Sequence, residues 1–347
     1  MSDLFKYIIK CDQTIKDALI ALNRLSDNAL TLFVVDHEEC MLGTLTDGDI
    51  RRALIGGCDL GASVVQVMNS NFHSVQVDSL CVEYIRELRK KGFALLPLLT
   101  RDKKIQTVYD LKKKRSILPL DAVLMAGGKG ERLRPLTEKT PKPLLPVGDK
   151  CIIDYNVDHL IEYGVENINV TINYLGEQIE EHFAKDREGI QICCVREPRY
   201  LGTMGSIKFV DRFHNDTVLV MNSDLFTNID FEDFYLHFKK NNADMSVAAV
   251  PYSISVPYGI FELEEEREIK GIREKPTYNY YANSGIYLIK RQLLNLIPDG
   301  LFFNATDLIE KLVREKYRVI RFPLMGYWID IGKHEDYKKA QDFVKHL

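Results

Sequence analysis

The apolar residues of the first 110 positions change spacing twice, and they do so in the same order each time. Helical spacing occurs at Ile15, Leu19, Leu22 and Leu25, and again at Val82, Ile85 and Leu88. An apolar run typical of a strand follows each of them, at residues 31–36 and 94–99. The two copies lie about sixty residues apart, which indicates an internal repeat of a small α/β unit.

After residue 120 the pattern becomes a regular alternation of strands and helices. Strands are predicted at residues 122–125, 167–172, 190–195 and 217–221, and helices at residues 152–163, 175–183 and 203–213. Such alternation predicts an α/β fold with a doubly wound, mostly parallel sheet, whose ligands lie at the carboxyl ends of the strands.

A change in composition separates these two halves. Residues 111–115 read as the basic end of a helix, and a short segment with Pro119 follows. We therefore predict a tandem domain pair at 1–116, divided at about residue 68 into 1–68 and 69–116, and a second domain at 119–347.

Composition and charge exclude several classes of function. Hydrophobic residues make up 46% of the chain and charged residues 28%, as in soluble globular proteins. The net charge of −4 argues against general nucleic-acid binding. No apolar run is long enough for a membrane span and the amino terminus lacks a signal core, so we expect a cytoplasmic protein without a membrane partner. Seven scattered cysteines without a Cys-x-x-Cys pair predict reduced, mostly buried thiols.

A glycine-rich loop follows the predicted strand at 122–125. Gly127, Gly128 and Gly130 allow backbone N–H groups to approach phosphate oxygens closely. The cations nearby are Lys129, Arg132, Arg134 and Lys142. The segment is not a Walker loop, because Lys129 precedes a glycine instead of a Ser or Thr. The segment also lacks the third glycine of the dinucleotide-binding motif. We expect nucleotide chemistry of another kind.

The run Gly127–Leu133, followed by Pro141–Leu144, resembles the loop of the sugar-1-phosphate nucleotidylyltransferases. Among these it is similar to bacterial GDP-sugar pyrophosphorylases of the glucosamine or mannose 1-phosphate guanylyltransferase type. The resemblance implies a Rossmann-like domain that transfers a nucleoside monophosphate from an NTP to a hexose 1-phosphate and releases pyrophosphate. It implies catalytic roles for Arg132, Lys142 and Lys275. The nucleotide-binding residues that it implies are Leu124, Ala126, Gly127, Gly128, Gly130, Glu197, Gly202 and Thr203.

Two aspartates are candidates for metal binding. Asp224 follows the apolar strand at 217–221, and Asp330 lies within an apolar segment near the carboxyl end. A single aspartate at a strand end is commonly a helix cap, but the resemblance implies that these two jointly bind Mg²⁺. The motifs around residues 257–259, 274–276 and 281–287 further imply sugar contacts from Gly259, Glu274 and Asn283.

The identity of the substrates is less clear from the sequence. A carboxylate at Glu197 accepts hydrogen bonds only, which suits the paired N–H donors of guanine and favours GTP. No residue decides the sugar, and glucosamine 1-phosphate is preferred over mannose 1-phosphate on resemblance alone. UTP or dTTP remains an alternative. A hypothesis of another class is a catalytically silent, nucleotide-sensing regulatory subunit.

The amino-terminal repeat resembles a pair of cystathionine-β-synthase (CBS) domains, known as a Bateman module. In that family a Thr or Ser followed three residues later by Asp holds the ribose of an adenine nucleotide. Here the pairs are Thr46 with Asp49, and Thr107 with Asp110. The same residues could instead cap the helices that follow them. The pair is expected either to bind AMP or ATP or to mediate assembly into a homo-oligomer.

Overall fold

The computed structural model describes residues 5–25, 29–265 and 267–346, and it divides them into two compact units. The first unit is Met1–Ile117 and the second is Leu118–Leu347. Among the described residues, no helix combines the length and the apolar character that crossing a bilayer requires.

The first unit contains two small sheets with the same pairing. Its strands are β1 (Ile8–Lys10), β2 (Thr31–Val35), β3 (Met41–Thr46), β4 (Val75–Gln76), β5 (Leu95–Leu99) and β6 (Ile105–Asp110). Its helices are α1 (Ile15–Arg24), α2 (Asp47–Ile55) and α3 (Val82–Lys90). In each sheet the first strand runs parallel to the second, and the second is antiparallel to the third. The sequence repeat is therefore also a repeat of topology.

The two copies differ at their carboxyl ends. In the first copy, Thr46 and Asp49 form a capping box that starts α2, because the Thr46 side chain accepts from the Asp49 N–H and the Asp49 carboxylate accepts from the Thr46 N–H. In the second copy, β6 ends at Asp110 and a turn follows. The predicted basic helix end at 111–115 is therefore wrong. Leu111 and Ile117 are buried in the core of this copy, so the chain between them returns to that core within a few residues.

The second unit contains most of the secondary structure. Its strands are β7 (Asp121–Met125), β8 (Pro146–Val147), β9 (Lys150–Cys151), β10 (Asn167–Ile172), β11 (Ile192–Arg196), β12 (Thr217–Asn222), β13 (Leu225–Thr227), β14 (Met245–Ser255), β15 (Ile260–Glu264), β16 (Glu268–Arg273), β17 (Thr277–Lys290), β18 (Val319–Pro323) and β19 (Trp328–Asp330). Its helices are α4 (Ile152–Glu162), α5 (Gly176–His182), α6 (Phe231–Lys240), α7 (Ala305–Arg314) and α8 (His334–Val344).

A seven-stranded sheet forms the centre of this unit, in the order β11-β10-β7-β12-β17-β14-β18. All neighbouring pairs are parallel except those that β17 makes with β12 and β14. The prediction of a mostly parallel sheet is confirmed. Strands β7 and β12 are adjacent and parallel, so their carboxyl ends, and the loops that follow them, meet at one edge.

The predicted helix at 203–213 is wrong, and the only regular structure there is a 3-10 helix at Gly205–Phe209. The N–H groups of Met204 and Gly205 donate to the carbonyl of Phe303 rather than to a preceding turn. A Cβ at Gly205 would lie 2.7 Å from the carbonyl oxygen of Leu301, so this glycine permits the close approach of two backbones. Met204 and Ile207 are nevertheless buried in the core.

Strands β14 and β17 continue beyond the sheet and form an arm. Their pairing extends to Ser255 and Thr277, and the short hairpin of β15 and β16 lies between them in the chain. Among the described residues, β15 and β16 pair only with each other.

The seven cysteines are all free, as predicted. Their expected burial is wrong, because Cys81 and Cys193 are exposed and the others are half-buried. Cys193 and Cys194 alternate between exposed and half-buried along β11, as neighbours in a strand do.

Candidate active site

A pocket lies at the carboxyl ends of β7 and β12. Its lining includes nine of the residues selected from the sequence, which are Ala126, Gly127, Gly128, Gly130, Lys142, Glu197, Gly202, Thr203 and Asp224. Gly130 has the left-handed conformation, with φ of 61°, and the Thr137 hydroxyl donates to its carbonyl at 2.8 Å. The loop is therefore held in a defined shape, which is what a phosphate-binding turn needs.

Glu197 is buried against this loop. The N–H of Leu201 donates to its Oε2 at 3.0 Å, and a Cβ placed on Gly127 would lie only 2.2 Å from its Oε1. Burial raises the pKa of Glu197 to about 7, although the hydrogen bond from Leu201 opposes the shift. A glycine at 127 is thus required by the position of this carboxyl group.

Gly202 and Thr203, in the segment that follows Glu197, form a second part of the pocket wall. Gly202 has φ of 78°, and a Cβ there would lie 2.7 Å from the carbonyl oxygen of Phe303. The Thr203 hydroxyl accepts from the N–H of Ala305 at 2.9 Å, which ties this wall to the start of α7.

The two candidate metal ligands come together through a short antiparallel ladder. Strands β13 and β19 pair Leu225 with Asp330, and the N–H of Ile331 donates to the carbonyl of Asp224 at 3.2 Å. On either side of Asp224 in the chain, the carbonyls of Ser223 and Leu225 accept from the side-chain amide of Asn156, at 3.2 and 2.9 Å. The ladder and Asn156 together hold Asp224 beside Asp330.

The electrostatics of this pair suit a cation. Burial raises the pKa of Asp330 most, and the negative charge of Asp224 raises it further. The positive charges of Lys142 and Arg132 oppose this shift. The Oδ1 of Asp224 is buried and has no hydrogen-bond partner. Its Oδ2 accepts from the Lys142 ammonium. Two adjacent carboxylates with one unsatisfied buried oxygen fit a hard divalent cation, whose ligands are oxygens.

The remaining predicted residues do not line this pocket. Arg132 is exposed on the turn at Glu131–Leu133, although its charge reaches Asp330. The side chain of Leu124 is fully buried in β7, so the inference that Leu124 contacts the nucleotide can apply only to its backbone.

The predicted sugar-contacting residues lie on the arm. A Cβ at Gly259 would be 3.0 Å from Oε2 of Glu274, so these two are neighbours. Lys275 is exposed and has φ of 44°. Asn283 lies in β17, and its side-chain amide donates to the Tyr287 hydroxyl at 2.9 Å. Gly285 of the same strand adjoins Asn222 of the pocket, with 2.6 Å between an added Cβ and Nδ2.

Some lining residues were missed by sequence reasoning. They are Met125, Pro143, Thr171, Tyr200, Ser206, Asn222 and Ser223. Asn222 and Ser223 immediately precede Asp224, so their position at the end of the same strand could have identified them as pocket residues. Tyr200 and Ser206 reach the pocket only through the irregular backbone after β11, which no periodicity indicates.

Comparison with known proteins agrees with this geometry. Residues 121–346, more than half of the chain, match the family described as nucleotidyl transferase. The chain is 29% identical to a mannose-1-phosphate guanylyltransferase of Mycobacterium tuberculosis, over 66% of this chain and 66% of that protein. It is also 29% identical to a UTP–glucose-1-phosphate uridylyltransferase of Synechocystis, over 64% of this chain and 62% of that protein.

The chain spans between 54% and 62% of the length of three curated relatives that it matches. Among solved structures it is similar in fold to HddC from Yersinia pseudotuberculosis complexed with GMP-PN, with a TM-score of 0.50 and 24% identity, over 65% of this chain and 99% of that one. From the family match and the arrangement of the loop, the walls and the two aspartates, we conclude that this chain belongs to the nucleotidyl transferase family.

Proposed function

We propose that the second unit is a sugar-1-phosphate nucleotidylyltransferase, which joins an NTP and a hexose 1-phosphate into a nucleotide sugar and releases pyrophosphate. One observation carries the proposal. The glycine loop, Lys142 and the paired Asp224 and Asp330 come together at the edge of the sheet where the carboxyl ends of β7 and β12 lie. Transfer of this kind needs no protein nucleophile, because the attacking phosphate oxygen is already ionised. Catalysis then depends on positioning and on neutralising charge.

The roles of the residues follow from their charges. Asp224 and Asp330 would hold Mg²⁺, which neutralises phosphate charge when it is bound. Lys142 lies beside Asp224, and its ammonium would pair with the α-phosphate. The loop amides and Arg132 neutralise the leaving pyrophosphate. Lys275, on the arm, pairs with the sugar phosphate.

Glu197 supports GTP as the nucleotide. Its carboxyl group is buried at the pocket wall, and when ionised it can only accept hydrogen bonds. Guanine offers two adjacent N–H donors, whereas uracil flanks its single ring N–H with acceptor oxygens that a carboxylate repels. A named relative that is a guanylyltransferase adds support, although another uses UTP.

The sugar site consists of Gly259, Glu274 and Asn283 on the arm. Glucosamine 1-phosphate is the preferred substrate and mannose 1-phosphate the alternative.

A pyrophosphate-release assay tests the proposal. GTP, UTP, dTTP, CTP and ATP are each combined with the 1-phosphates of glucosamine, mannose and glucose, with Asp224→Asn as the inactive control. The expected result is turnover that is highest with GTP and falls by several orders of magnitude in Asp224→Asn. Faster turnover with UTP would refute the preference for GTP. No turnover with any pair would favour a silent regulatory subunit.

For the first unit, we propose a CBS pair at about 1–68 and 69–116, joined to a catalytic domain at 119–347, that binds an adenine nucleotide and contributes to homo-oligomer formation. Support comes from the repeated topology of its two three-stranded sheets. The Asp49 carboxylate accepts a hydrogen bond in the cap of α2 and pairs with Arg52, and the Asp110 carboxylate accepts from the N–H of Lys112.

Calorimetric titration of the full chain with AMP tests the proposal. Binding that Asp110→Ala abolishes is expected, and no heat would leave assembly as the role.

A further inference from the structure

Three side chains of the kinds that bind zinc lie together where the start of α4 meets the end of α5. They are Cys151, Asp154 and His182, and their sulfur, oxygen and nitrogen ligand atoms all lie within 4.8 Å of one another. In the part of the chain that the structure describes, this is the one group of three His, Cys, Asp or Glu side chains with such a spacing. None of the three lines the pocket at the ends of β7 and β12. The group is therefore separate from the proposed Mg²⁺ site.

The fold positions the three ligands before any metal binds. Cys151 is the N-cap residue of α4 and Asp154 is the third residue of that helix, so both belong to its first turn. His182 is the last residue of α5, and its Nε2 lies 2.7 Å from Asp154 Oδ1. Asp154 Oδ2 accepts from the Cys151 N–H at 3.1 Å, which fixes the orientation of the carboxylate and leaves Oδ1 facing His182.

The ligand set favours zinc over Mg²⁺. Thiolate sulfur and imidazole nitrogen are typical zinc ligands, whereas Mg²⁺ prefers oxygen ligands in an octahedral arrangement. A tetrahedral zinc ion with bonds of about 2.0–2.3 Å holds its ligand atoms roughly 3.3–3.8 Å apart, so side-chain shifts of about 1 Å would give this spacing. Asp154 is only 5% exposed, so water competes poorly for a cation at this carboxylate.

A positive charge already occupies the place that the ion would take. Arg187 Nη2 donates to Asp154 Oδ1 at 2.6 Å and lies 3.4 Å from His182 Nε2. Its Nη1 donates separately to Asp158 Oδ1 at 2.9 Å. A metal bound to Asp154 Oδ1 displaces only the first of these donors, and Arg187 keeps its bond to Asp158. A divalent cation also compensates the carboxylate and the thiolate together, which the single charge of the guanidinium does not.

We propose that the Cys151, Asp154 and His182 side chains bind Zn²⁺, or another divalent cation that accepts a sulfur ligand. The ion takes the place of the Arg187 guanidinium at Asp154. The Cys151 thiol gives its proton to solvent as its sulfur joins the metal, and water fills the fourth position. The bound ion then links the first turn of α4 to the last residue of α5, as a cross-link between two helices of the second unit.

Titration of the full chain with Co²⁺ in the absence of nucleotide tests this site. Co²⁺ replaces zinc in sites of this kind, and a thiolate bound to Co²⁺ gives an absorption band in the near ultraviolet. The expected result is a band that saturates at one Co²⁺ per chain, with a dissociation constant of about 10 μM or lower, and that disappears when Zn²⁺ is added. The proposed Mg²⁺ site contains no sulfur, so Asp224→Asn should leave the band unchanged.

Cys151→Ser is the decisive variant, because serine is a good N-cap residue and preserves the start of α4 while the sulfur ligand is removed. The band should disappear in Cys151→Ser. It should remain in the matched control Cys193→Ser, which removes an exposed thiol from β11. His182→Gln retains an N–H donor for Asp154 and should weaken Co²⁺ binding at least tenfold.

Arg187→Met tests the exchange of cations. It removes the competing charge, so Co²⁺ should bind at least tenfold more tightly than in the wild-type chain. Unchanged or weaker binding in Arg187→Met would show that the ion does not take the place of the guanidinium. The site itself is overturned if no thiolate band forms at about 100 μM Co²⁺, if the band survives in Cys151→Ser, or if it is lost in Cys193→Ser.

Discussion

At the scale of single residues, Gly127 and Glu197 must be considered together. A Cβ at position 127 would lie 2.2 Å from Glu197 Oε1, which is held in place because Oε2 accepts from Leu201. We predict that Gly127→Ala displaces this carboxyl group, lowers the melting temperature of the ligand-free protein by a few degrees and weakens GTP binding at least tenfold.

Gly128 provides the matched control for this prediction, because nothing lies within 4 Å of a Cβ placed there. Gly128→Ala should leave the melting temperature of the ligand-free protein unchanged. Any loss of nucleotide affinity in Gly128→Ala would then arise from the bound phosphates alone. Equal melting temperatures for both variants would contradict the inferred contact between Gly127 and Glu197.

The raised pKa of Glu197, about 7, predicts pH-dependent base selection. In the proposed complex with GTP, the ionised carboxylate would accept hydrogen bonds from guanine, and it becomes protonated as the pH falls through 7. The ratio of GTP to UTP affinity should therefore fall about tenfold between pH 8 and pH 6. Using the ratio removes the titration of the phosphates, which both nucleotides share. The ratio should not vary with pH in Glu197→Gln, and a flat wild-type profile would show that this group does not contact the base.

The Lys142 ammonium forms an ion pair with Asp224, one of the two proposed metal ligands, and this pair should have a measurable effect on metal binding. Its ammonium pairs with Asp224 Oδ2, so it repels a divalent cation and competes for the same oxygen. We predict that Lys142→Met binds Mn²⁺ about tenfold more tightly in the absence of nucleotide, as measured by electron paramagnetic resonance. Lys129→Met is the control, because it removes a loop cation whose side chain has no ion pair with Asp224. Unchanged or weaker Mn²⁺ binding in Lys142→Met would refute the competition.

At the scale of elements, the start of α4 contains a network of hydrogen bonds outside the pocket, centred on the Asp154 carboxylate. Asp154 accepts from the N–H of Cys151, from His182 at 2.7 Å and from Arg187 at 2.6 Å. Burial alone raises the pKa of Asp154, but the bond from His182 and the charge of Arg187 outweigh it, and the net pKa is lowered.

We predict that Asp154→Asn costs about 1–3 kcal/mol of unfolding free energy at pH 7. Because the folded pKa is lowered, this stabilisation exists above the pKa of the unfolded chain, near 4, and is lost as the pH falls through the folded value. Urea unfolding at pH 7 and pH 3 measures both effects. The more exposed Asp158, which also bonds Arg187, is the control and should cost less. A cost that is equal at both pH values would contradict the ionic origin.

The elements also show what periodicity can predict. Segments with a strong period and a local cap formed as predicted, such as α1 with the box of Thr14 and Asp17. The segment after Gly202 did not, because Phe303, a hundred residues away in sequence, accepts its N–H groups. The residues of the glycine loop and Asp224 were predictable because they follow predicted strands, whereas Asp330 was indicated only by the family resemblance. Tyr200 and Asn156 were not, since they reach the site through tertiary contacts alone.

At the scale of the whole molecule, an exposed basic turn lies next to the boundary between the two units. Lys112 and Lys113 are exposed just before Ile117, where the first unit ends. We predict that brief trypsin treatment cuts first at this turn and releases two fragments that resist further digestion. Lys112→Gln with Lys113→Gln should slow this cut. A first cut within residues 1–110 or 118–347 would contradict the prediction that this turn is the site most accessible to the protease.

The ladder of β13 and β19 has a consequence for biosynthesis. It places Asp224 beside an aspartate that is made about a hundred residues later, so a cation bound by both closes a long loop of chain. A nascent or truncated chain that ends before β19 could contain the whole glycine loop, Glu197 and Lys142, and still have only one of the two aspartates of the proposed metal site. The nucleotidyl transfer proposed for this chain would therefore begin only after β19 has been synthesised and has paired with β13.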